Sequence, residues 1–142
     1  MSEVYKSKMT VLFHQADPAG IMFFAHVFTL AHNAYEGFIQ ACGFDWKDWF
    51  AEPKFLVPIR HSEADYLRPF RAGESYEIEA RVTEISSTSF KIHYDFLNGP
   101  HKHAVVQMVH TCIDPKTFQK SNLPEEVKLG LKTFYHQSEK LP

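Results

Sequence analysis

The sequence predicts an α+β domain in which a five-stranded antiparallel sheet wraps around one long central helix. From Val27 to Cys42 apolar residues recur three and four positions apart, and Gly43 ends this pattern, as expected for a buried helix. Apolar and polar residues alternate over 76–83 and again over 90–96, with a serine-rich turn between them, which predicts a hairpin. A buried helix followed by alternating strands indicates a sheet that covers a helix.

The other predicted elements are separated by Pro and Gly residues. They are a strand over 5–13, a loop over 15–20, a short aromatic helical stretch over 46–50, a strand over 55–67, a turn over 98–100, a strand over 104–113 and a short helix that opens at 123–126. Pro58 has no backbone N–H, so it favours an edge position or an irregular start for its strand. The strand over 104–113 is apolar on both faces, which is typical of a central strand. In chain order, the sequence therefore predicts one strand, the long helix and then four consecutive antiparallel strands.

Composition limits the function classes. With 142 residues, 44% of them hydrophobic, the chain predicts a single domain over 1–142. Its 15 Lys and Arg against 17 Asp and Glu include no run of like charge, so nucleic acid is not an expected partner. The N-terminus has no signal-peptide pattern, and nowhere do about 18 apolar residues run together. The chain is therefore expected to be cytoplasmic, without a membrane partner.

Cysteine and histidine spacing argues against a metal site. Cys42 and Cys112 lie far apart without a ligand motif, so we interpret both as reduced core thiols. The densest histidine group, His101, His103 and His110, falls on a turn and a strand without an accompanying acidic pattern. We expect no metal.

Asp17 is the residue with the strongest claim to chemistry. It lies in a Pro- and Gly-containing loop directly before the buried helix and is followed by four apolar residues, Ile21 to Phe24. A carboxylate in this place has two interpretations. It is a turn or helix-capping aspartate, a role in which Asp is common, or it faces a reacting group. The spacing alone leaves both open.

The sequence HQADPAGIMFF resembles the D-x-A-G-[IV]-[VMW]-[FYW]-[FYH] signature of the 4-hydroxybenzoyl-CoA thioesterase type of hot-dog enzymes. The similarity extends over nearly the whole chain and includes VPIRHSEADYLRPFRAGE and SSTSFKIHYDF. The resemblance implies the hot-dog fold and an acyl-CoA thioesterase. It also implies that the motif aspartate, Asp17, attacks the thioester carbonyl as a nucleophile or activates a water as a general base.

Two more residues of the motif receive roles from this resemblance. The family's oxyanion donor is a backbone N–H at the start of the central helix, which falls by position on Phe24. Gly20 is expected to allow close approach of the loop. Helix-terminal amides suit developing negative charge.

The helix segment His32-Asn33-Ala34-Tyr35-Glu36 resembles the thioesterases that hydrolyse 1,4-dihydroxy-2-naphthoyl-CoA in phylloquinone and menaquinone synthesis. In the hydroxybenzoyl-CoA branch the position of His32 binds the ring hydroxyl of the substrate, so we expect His32 to bind an aromatic hydroxyl. A core histidine is the alternative interpretation. Glu36 is expected to orient water or His32, or to fix the packing of the helix. His61 matches the same pattern without an assigned role.

The resemblance therefore implies hydrolysis of an aromatic hydroxyacyl-CoA. A 4-hydroxybenzoyl-CoA or short-chain aliphatic acyl-CoA thioesterase is the first alternative, and a noncatalytic acyl-CoA-binding hot-dog protein is a more distant one. Coenzyme A is part of the substrate, and no other cofactor is expected. The family forms homodimers and homotetramers with sites at subunit interfaces, and the same is expected here.

Overall fold

A five-stranded sheet and one long helix form the framework of the protein, which the computed structural model describes over residues 3–137. The elements in chain order are β1 (Tyr5–Thr10), α1 (His26–Ala41), β2 (Ile59–Tyr66), β3 (Ser75–Ile85), β4 (Ser89–Asn98), β5 (His101–Thr111) and α2 (Glu125–Lys132). A single helical turn at Phe13–Gln15 follows β1, and another at Lys47–Ala51 follows α1. The predicted α+β class is confirmed.

The strands lie in the order β1-β3-β4-β5-β2, and every pair is antiparallel. The predicted hairpin is β3–β4, and the turn at Asn98–Gly99 joins β4 to β5. β2 pairs with β5 at one edge of the sheet, and β1 pairs with β3 at the other. The segment between β2 and β3 crosses from one end of the sheet to the other, which sequence adjacency does not indicate.

Helix α1 packs against one face of the sheet. Its buried side chains include Val27, Ala31, Phe38 and Ile39, all at 0% exposure. The inward-facing residues of the three middle strands are equally buried; they are Ile78, Ala80, Val82, Phe90, Ile92, Tyr94, Phe96, Ala104, Val106 and Met108. Burial of each large apolar side chain contributes about 1.5–3 kcal/mol, so this interface holds the helix in place. The start of α1 is thereby fixed relative to the sheet.

Several element boundaries differ from the sequence prediction. β1 ends at Thr10, because the backbone N–H of Leu12 donates to Gln15 Oε1 at 2.8 Å and the chain turns there. β2 begins only after Pro58 and lies at the sheet edge, as Pro58 suggests. β5 begins at His101 and is an inner strand, but its outward side chains, such as Val105 and Val109, are only half-buried. The prediction that both of its faces are covered is therefore wrong within this chain.

No helix within residues 3–137 is long and apolar enough to cross a membrane. The predicted single domain over 1–142 includes seven terminal residues outside the described ones and stays a prediction.

Candidate active site

Asp17 lies in a tight turn, as its local sequence suggests. Its Oδ1 accepts a hydrogen bond from the backbone N–H of Ala19 at 2.9 Å, and its carbonyl oxygen accepts one from Gly20 N–H at 2.9 Å. Within residues 3–137 no hydrogen bond engages the second carboxylate oxygen, Oδ2, and the residue is half-buried. The turn therefore orients the carboxylate and leaves one oxygen available, so the two interpretations of Asp17 are compatible.

Backbone hydrogen bonds attach the Asp17 loop to the segment between β2 and β3. Met22 N–H donates to the Phe70 carbonyl at 2.7 Å, and Ala72 N–H donates to the Gly20 carbonyl at 3.2 Å. On the other side, Phe23 N–H donates to the Gln15 carbonyl at 2.9 Å. The loop is thus held on two sides by main-chain contacts, in addition to the bond that the Asp17 side chain makes within it.

Gly20 lies in this turn with a left-handed backbone conformation. Its φ is +78°, and a Cβ built there would meet nothing within 4 Å. The position needs the left-handed backbone conformation that glycine adopts without strain. Gly20 is therefore required by the turn, and no close contact with a neighbouring atom of this chain requires it.

Phe24 lies two residues before α1 begins at His26, with Ala25 as the N-cap. His26 N–H donates to the Phe23 carbonyl at 3.1 Å and Val27 N–H donates to the Phe24 carbonyl at 3.3 Å, so the turn has helical geometry. Within residues 3–137 neither Phe24 N–H nor Ala25 N–H donates a hydrogen bond. Amides of a first helical turn point out of the helix N-terminus, where the helix dipole is positive. The two free amides of this turn can therefore stabilise a negative charge that develops on a bound molecule.

A cleft of about 300 Å³ borders this turn. It is lined by Ile21, Met22 and Phe24 on one side and by Tyr66 to Phe70 on the other. Phe24 is 61% exposed and Phe23 is 47% exposed, which is unusual for large apolar residues beside a cleft. An apolar ligand or a second protein surface would cover them.

His32 and Glu36 lie farther along α1. His32 Nδ1 is 3.9 Å from Glu36 Oε2, and Glu36 Oε1 accepts a hydrogen bond from the indole N–H of Trp46 at 2.9 Å. The side chains are 42% and 37% exposed, so neither is a core residue. Glu36 therefore contacts Trp46 and lies near His32, and its role in orienting water or His32, or in binding substrate, stays a prediction.

His32 lines a second, largely apolar cavity of about 500 Å³. Its walls include Tyr35, Trp49 and Phe50 and, across from α1, Val57 and His110. The Tyr35 hydroxyl accepts a hydrogen bond from the indole N–H of Trp49 at 2.9 Å, which fixes one wall. His32 lies six positions after His26, or about 9 Å farther along the helix axis. Within one chain, the predicted catalytic loop and the predicted ring-binding residue thus border different cavities.

His110 is a residue of this cavity that sequence reasoning did not select. Its ring is stacked between Tyr35 at 4.5 Å and Phe90 at 4.9 Å, and its Nδ1 donates to the Val57 carbonyl at 2.9 Å. The pKa of His110 is lowered to about 4, chiefly by burial; the contact with Val57 opposes this shift and nearby His32 adds to it. The imidazole is neutral at pH 7. A lone histidine within an apolar strand was the available signal, but we interpreted it only as part of a histidine group.

His103 and His61 lie apart from His110 and make different contacts. His103 Nδ1 contacts the Pro69 carbonyl at 3.0 Å, and His61 Nε2 lies 3.6 Å from Glu63 on the exposed edge strand. In the part of the chain that the structure describes, no three His, Cys, Asp or Glu side chains form a group able to hold a metal ion. Cys42 and Cys112 are both free thiols, half-buried and buried respectively.

Comparison with known proteins places this site in a family. The family model of the Thioesterase-like superfamily matches residues 11–131, which include the Asp17 loop and the whole sheet after it. The chain belongs to the thioesterase-like superfamily. The fold class predicted from the resemblance, the hot-dog fold, is confirmed together with the family.

Curated relatives of this thioesterase-family chain share one name. A 1,4-dihydroxy-2-naphthoyl-CoA hydrolase of Synechococcus elongatus is 32% identical over 125 residues, which cover 87% of this chain and 92% of the relative. A protein of the same name from Nostoc punctiforme is 34% identical over 124 residues, covering 87% of this chain and 84% of the relative.

Solved structures give the same fold. A crystal structure described as a putative thioesterase from Prochlorococcus marinus superposes with a TM-score of 0.86 and 26% identity, over 92% of this chain and 95% of that one. A 1,4-dihydroxy-2-naphthoyl-CoA thioesterase from Synechocystis has a TM-score of 0.82 at 21% identity, over 91% and 96% of the two chains.

Proposed function

We propose that this protein hydrolyses the thioester of an aromatic hydroxyacyl-CoA, with 1,4-dihydroxy-2-naphthoyl-CoA as its substrate. The observation that carries the proposal is the anchored loop that leads into α1, which holds the Asp17 carboxylate in one turn and the Phe24 amide in the next, with Ile21, Met22 and Phe24 lining an apolar cleft. The names of the curated relatives support the choice of acyl group.

Asp17 supplies the attacking group in either of two ways. As a nucleophile, its Oδ2 adds to the thioester carbonyl carbon, the carbon–sulfur bond breaks, and the coenzyme A thiolate leaves. Water then cleaves the acyl-aspartyl anhydride and restores the carboxylate. As a general base, Asp17 takes a proton from a water that adds to the same carbon. The carbon–sulfur bond then breaks, and Asp17 passes this proton to the leaving coenzyme A thiolate. Both routes use an ionised carboxylate. The hydrogen bond from Ala19 N–H to Oδ1 fixes the orientation of the carboxylate and leaves Oδ2 as the reacting oxygen.

The thioester oxygen becomes negative as the tetrahedral species forms. The Phe24 N–H, at the positive end of α1, is the donor that we assign to this oxygen. Because the main chain of Phe24 performs this role, its exposed ring remains available to contact the acyl group.

The cavity beside His32 is proposed to receive the aromatic ring. Its volume of about 500 Å³ lies within the range of small-molecule pockets, and its walls are mainly aromatic and aliphatic. The His32 imidazole at its rim offers a hydrogen bond to a ring hydroxyl. Glu36, 3.9 Å away, biases the orientation of His32.

A shared site between copies would join the two cavities. β2 is an edge strand with one unpaired backbone side, and all of its side chains except half-buried Ala64 are exposed. Such an edge is an association surface. We propose a homodimer or homotetramer in which the Asp17 loop of one copy acts on an acyl group held partly by another. The absence of a cofactor and the cytoplasmic location stay predictions.

A hydrolysis panel tests the function. The purified chain would be assayed with dihydroxynaphthoyl-, 4-hydroxybenzoyl-, benzoyl- and butyryl-CoA, and released thiol would be measured. We expect the highest kcat/KM for the dihydroxynaphthoyl ester. A preference for 4-hydroxybenzoyl- or butyryl-CoA would replace the proposed acyl group by one of the two alternatives, and binding of all esters without turnover would indicate a noncatalytic acyl-CoA-binding protein.

The same panel tests Asp17. Asp17→Asn should lower kcat by about 10²–10⁴, the range for loss of a positioned base, while binding of the ester persists. Asp45→Asn is the matched control, since Asp45 Oδ1 accepts a hydrogen bond from Lys47 N–H at the same 2.9 Å in an equivalent turn. Wild-type turnover in Asp17→Asn would remove Asp17 from the mechanism.

A further inference from the structure

Tyr66 connects the end of β2 to the turn before α1. Its hydroxyl donates a short hydrogen bond to the carbonyl oxygen of Phe24. β2 is fixed at this end by β5, because Tyr66 pairs with Ala104 and the N–H groups of Leu67 and Arg68 both donate to the His103 carbonyl, at 2.8 and 3.1 Å. The phenol therefore projects from a rigid part of the sheet.

The hydrogen bond acts on a particular peptide unit. The Phe24 carbonyl shares its peptide plane with the N–H of Ala25, and it also accepts the bond from Val27 N–H at 3.3 Å. Donation to a carbonyl polarises its amide and makes the N–H of the same unit a stronger donor. In the described part of the chain, that Ala25 N–H has no acceptor, and neither has the preceding N–H of Phe24.

The two amides point in one direction. Ala25 has helical dihedral angles (φ −67°, ψ −22°), and the bonds to the Phe23 and Phe24 carbonyls place the turn in helical geometry. Successive N–H groups in such a turn leave the helix end side by side. A tetrahedral oxyanion accepts more than one hydrogen bond, so both amides can serve it.

We propose that Tyr66 is a positioning residue for the oxyanion site: its hydroxyl holds the Phe23–Ala25 turn and strengthens the Ala25 N–H as a second donor beside Phe24. This inference rests on the proposed thioester hydrolysis. The phenol itself does not touch the reacting atoms. Burial raises the pKa of Tyr66, so its proton stays available to the Phe24 carbonyl across the neutral range.

A competing role for Tyr66 is direct contact with substrate, since its ring is 43% exposed and lines the cleft beside Phe24. The two roles differ in kinetics. A residue that acts only on the oxyanion site changes kcat, whereas a residue that binds substrate in the ground state changes KM. Removal of the hydroxyl alone separates them because the ring remains.

The test is Tyr66→Phe, with Tyr135→Phe as control; within residues 3–137 the Tyr135 hydroxyl makes no hydrogen bond. We expect kcat to fall by about tenfold to a hundredfold, less than the 10²–10³ lost with a whole oxyanion donor, with KM within about twofold of wild type. The amide proton of Ala25 in a ¹⁵N-labelled sample should move upfield in Tyr66→Phe and stay in place in Tyr135→Phe.

Each outcome decides a separate question. Unchanged kcat in Tyr66→Phe, or a raised KM with unchanged kcat, overturns the positioning role while thioester hydrolysis stands. An unmoved Ala25 amide shows that the hydroxyl does not act on this peptide unit, and it overturns the inference as well. If the wild-type protein hydrolyses no ester of the panel, the proposed function fails and the catalytic role of Tyr66 fails with it, whereas the Ala25 shift still reports the contact.

Discussion

The Nδ1–H of His110 donates to the carbonyl oxygen of Val57 at 2.9 Å, and this bond crosses from β5 to the segment that leads into β2. Because a carbonyl oxygen only accepts, the proton is on Nδ1 and the buried Nε2 is an acceptor. Within the described residues Nε2 has no partner. A buried imidazole in this state resists protonation, which makes the stability of the fold dependent on pH.

Stability should decrease as the pH falls from about 6.5 to about 4. The pKa of His110 is lowered from 6.5 to about 4 in the folded protein, so the unfolded chain binds the proton first as the pH falls. This contribution is fully present above pH 6.5 and is lost by about pH 4, with an upper limit of about 3 kcal/mol. Urea unfolding at one protein concentration between pH 7.5 and 4 measures it. In His110→Gln, which keeps a donor but does not titrate, the free energy of unfolding should change less steeply with pH. An equal pH dependence would contradict the assignment of this effect to His110.

Gly20→Ala should lower both stability and turnover. The positive φ of Gly20 disfavours a side chain by about 1–2 kcal/mol, and relief of that strain would displace the N–H that donates to the Asp17 carbonyl. Gly99→Ala is the matched control because Gly99 also has a positive φ with nothing within 4 Å of a built Cβ, but it lies in the β4–β5 turn. Thermal melting should show similar losses in both variants. The kcat of Gly20→Ala alone should fall, and a similar fall in Gly99→Ala would argue for general destabilisation.

His32→Leu should change selectivity more than chemistry. Loss of a hydrogen bond to a ring hydroxyl costs about 1–3 kcal/mol of binding free energy, so kcat/KM for dihydroxynaphthoyl-CoA should fall roughly five- to 150-fold. Benzoyl-CoA, which has no ring hydroxyl, should be hydrolysed as before. His61→Leu is a suitable comparison, since His61 also lies beside a glutamate, at 3.6 Å from Glu63. Equal losses for both esters in His32→Leu would exclude hydroxyl recognition by this residue.

Asp95→Asn should destabilise the sheet without affecting the reaction. The carboxylate of Asp95 is 7% exposed and contacts Arg81 at 2.9 Å, His93 at 3.0 Å and Lys102 at 3.2 Å. Burial alone would raise the pKa of Asp95, but these hydrogen bonds lower it well below its usual value. Its contribution is therefore present above about pH 4 and is lost at lower pH.

The size of this effect is limited by the exposure of the cations. Removal of one member of a buried pair costs about 3–5 kcal/mol, and the partly exposed Arg81 and Lys102 reduce the expected loss to about 1–3 kcal/mol. Glu79→Gln, which breaks the 3.9 Å pair with exposed Lys6, should change stability by less than about 1 kcal/mol. Chemical denaturation at pH 7 measures both, and kcat per folded molecule should stay at the wild-type value.

The sequence predicts the helix and the hairpin well because their patterns are local. The apolar spacing over 27–42 determines one face of α1, and alternation over 76–96 determines β3 and β4. Periodicity does not indicate the pairing of β2 with β5, because strand order depends on the path of the segment that crosses between β2 and β3. Pro58 did indicate the edge position, since a proline limits pairing wherever the strand lies.

The candidate site also contains residues that local sequence identifies and residues that only the fold brings together. The Asp17 loop was found because its motif residues are contiguous in sequence. The roles of Tyr66 and His110 cannot be found in this way. Tyr66 contacts a backbone carbonyl 42 residues away and His110 contacts one 53 residues away, and only the folded chain brings these pairs together. The fold and the family are confirmed, whereas the roles of Asp17, Phe24, His32 and Glu36 stay predictions for the experiments above.

The anchoring of the Asp17 loop has an evolutionary consequence. Its main-chain bonds run to Gln15, Phe70 and Ala72, whereas the side chains around the larger cavity come chiefly from α1 and from the segments 49–59 and 110–118. Substitutions that reshape the cavity therefore leave the attachments of the carboxylate intact. In the proposed hydrolase, point mutations in the cavity can change the acyl group that is bound while the Asp17 loop keeps its main-chain bonds.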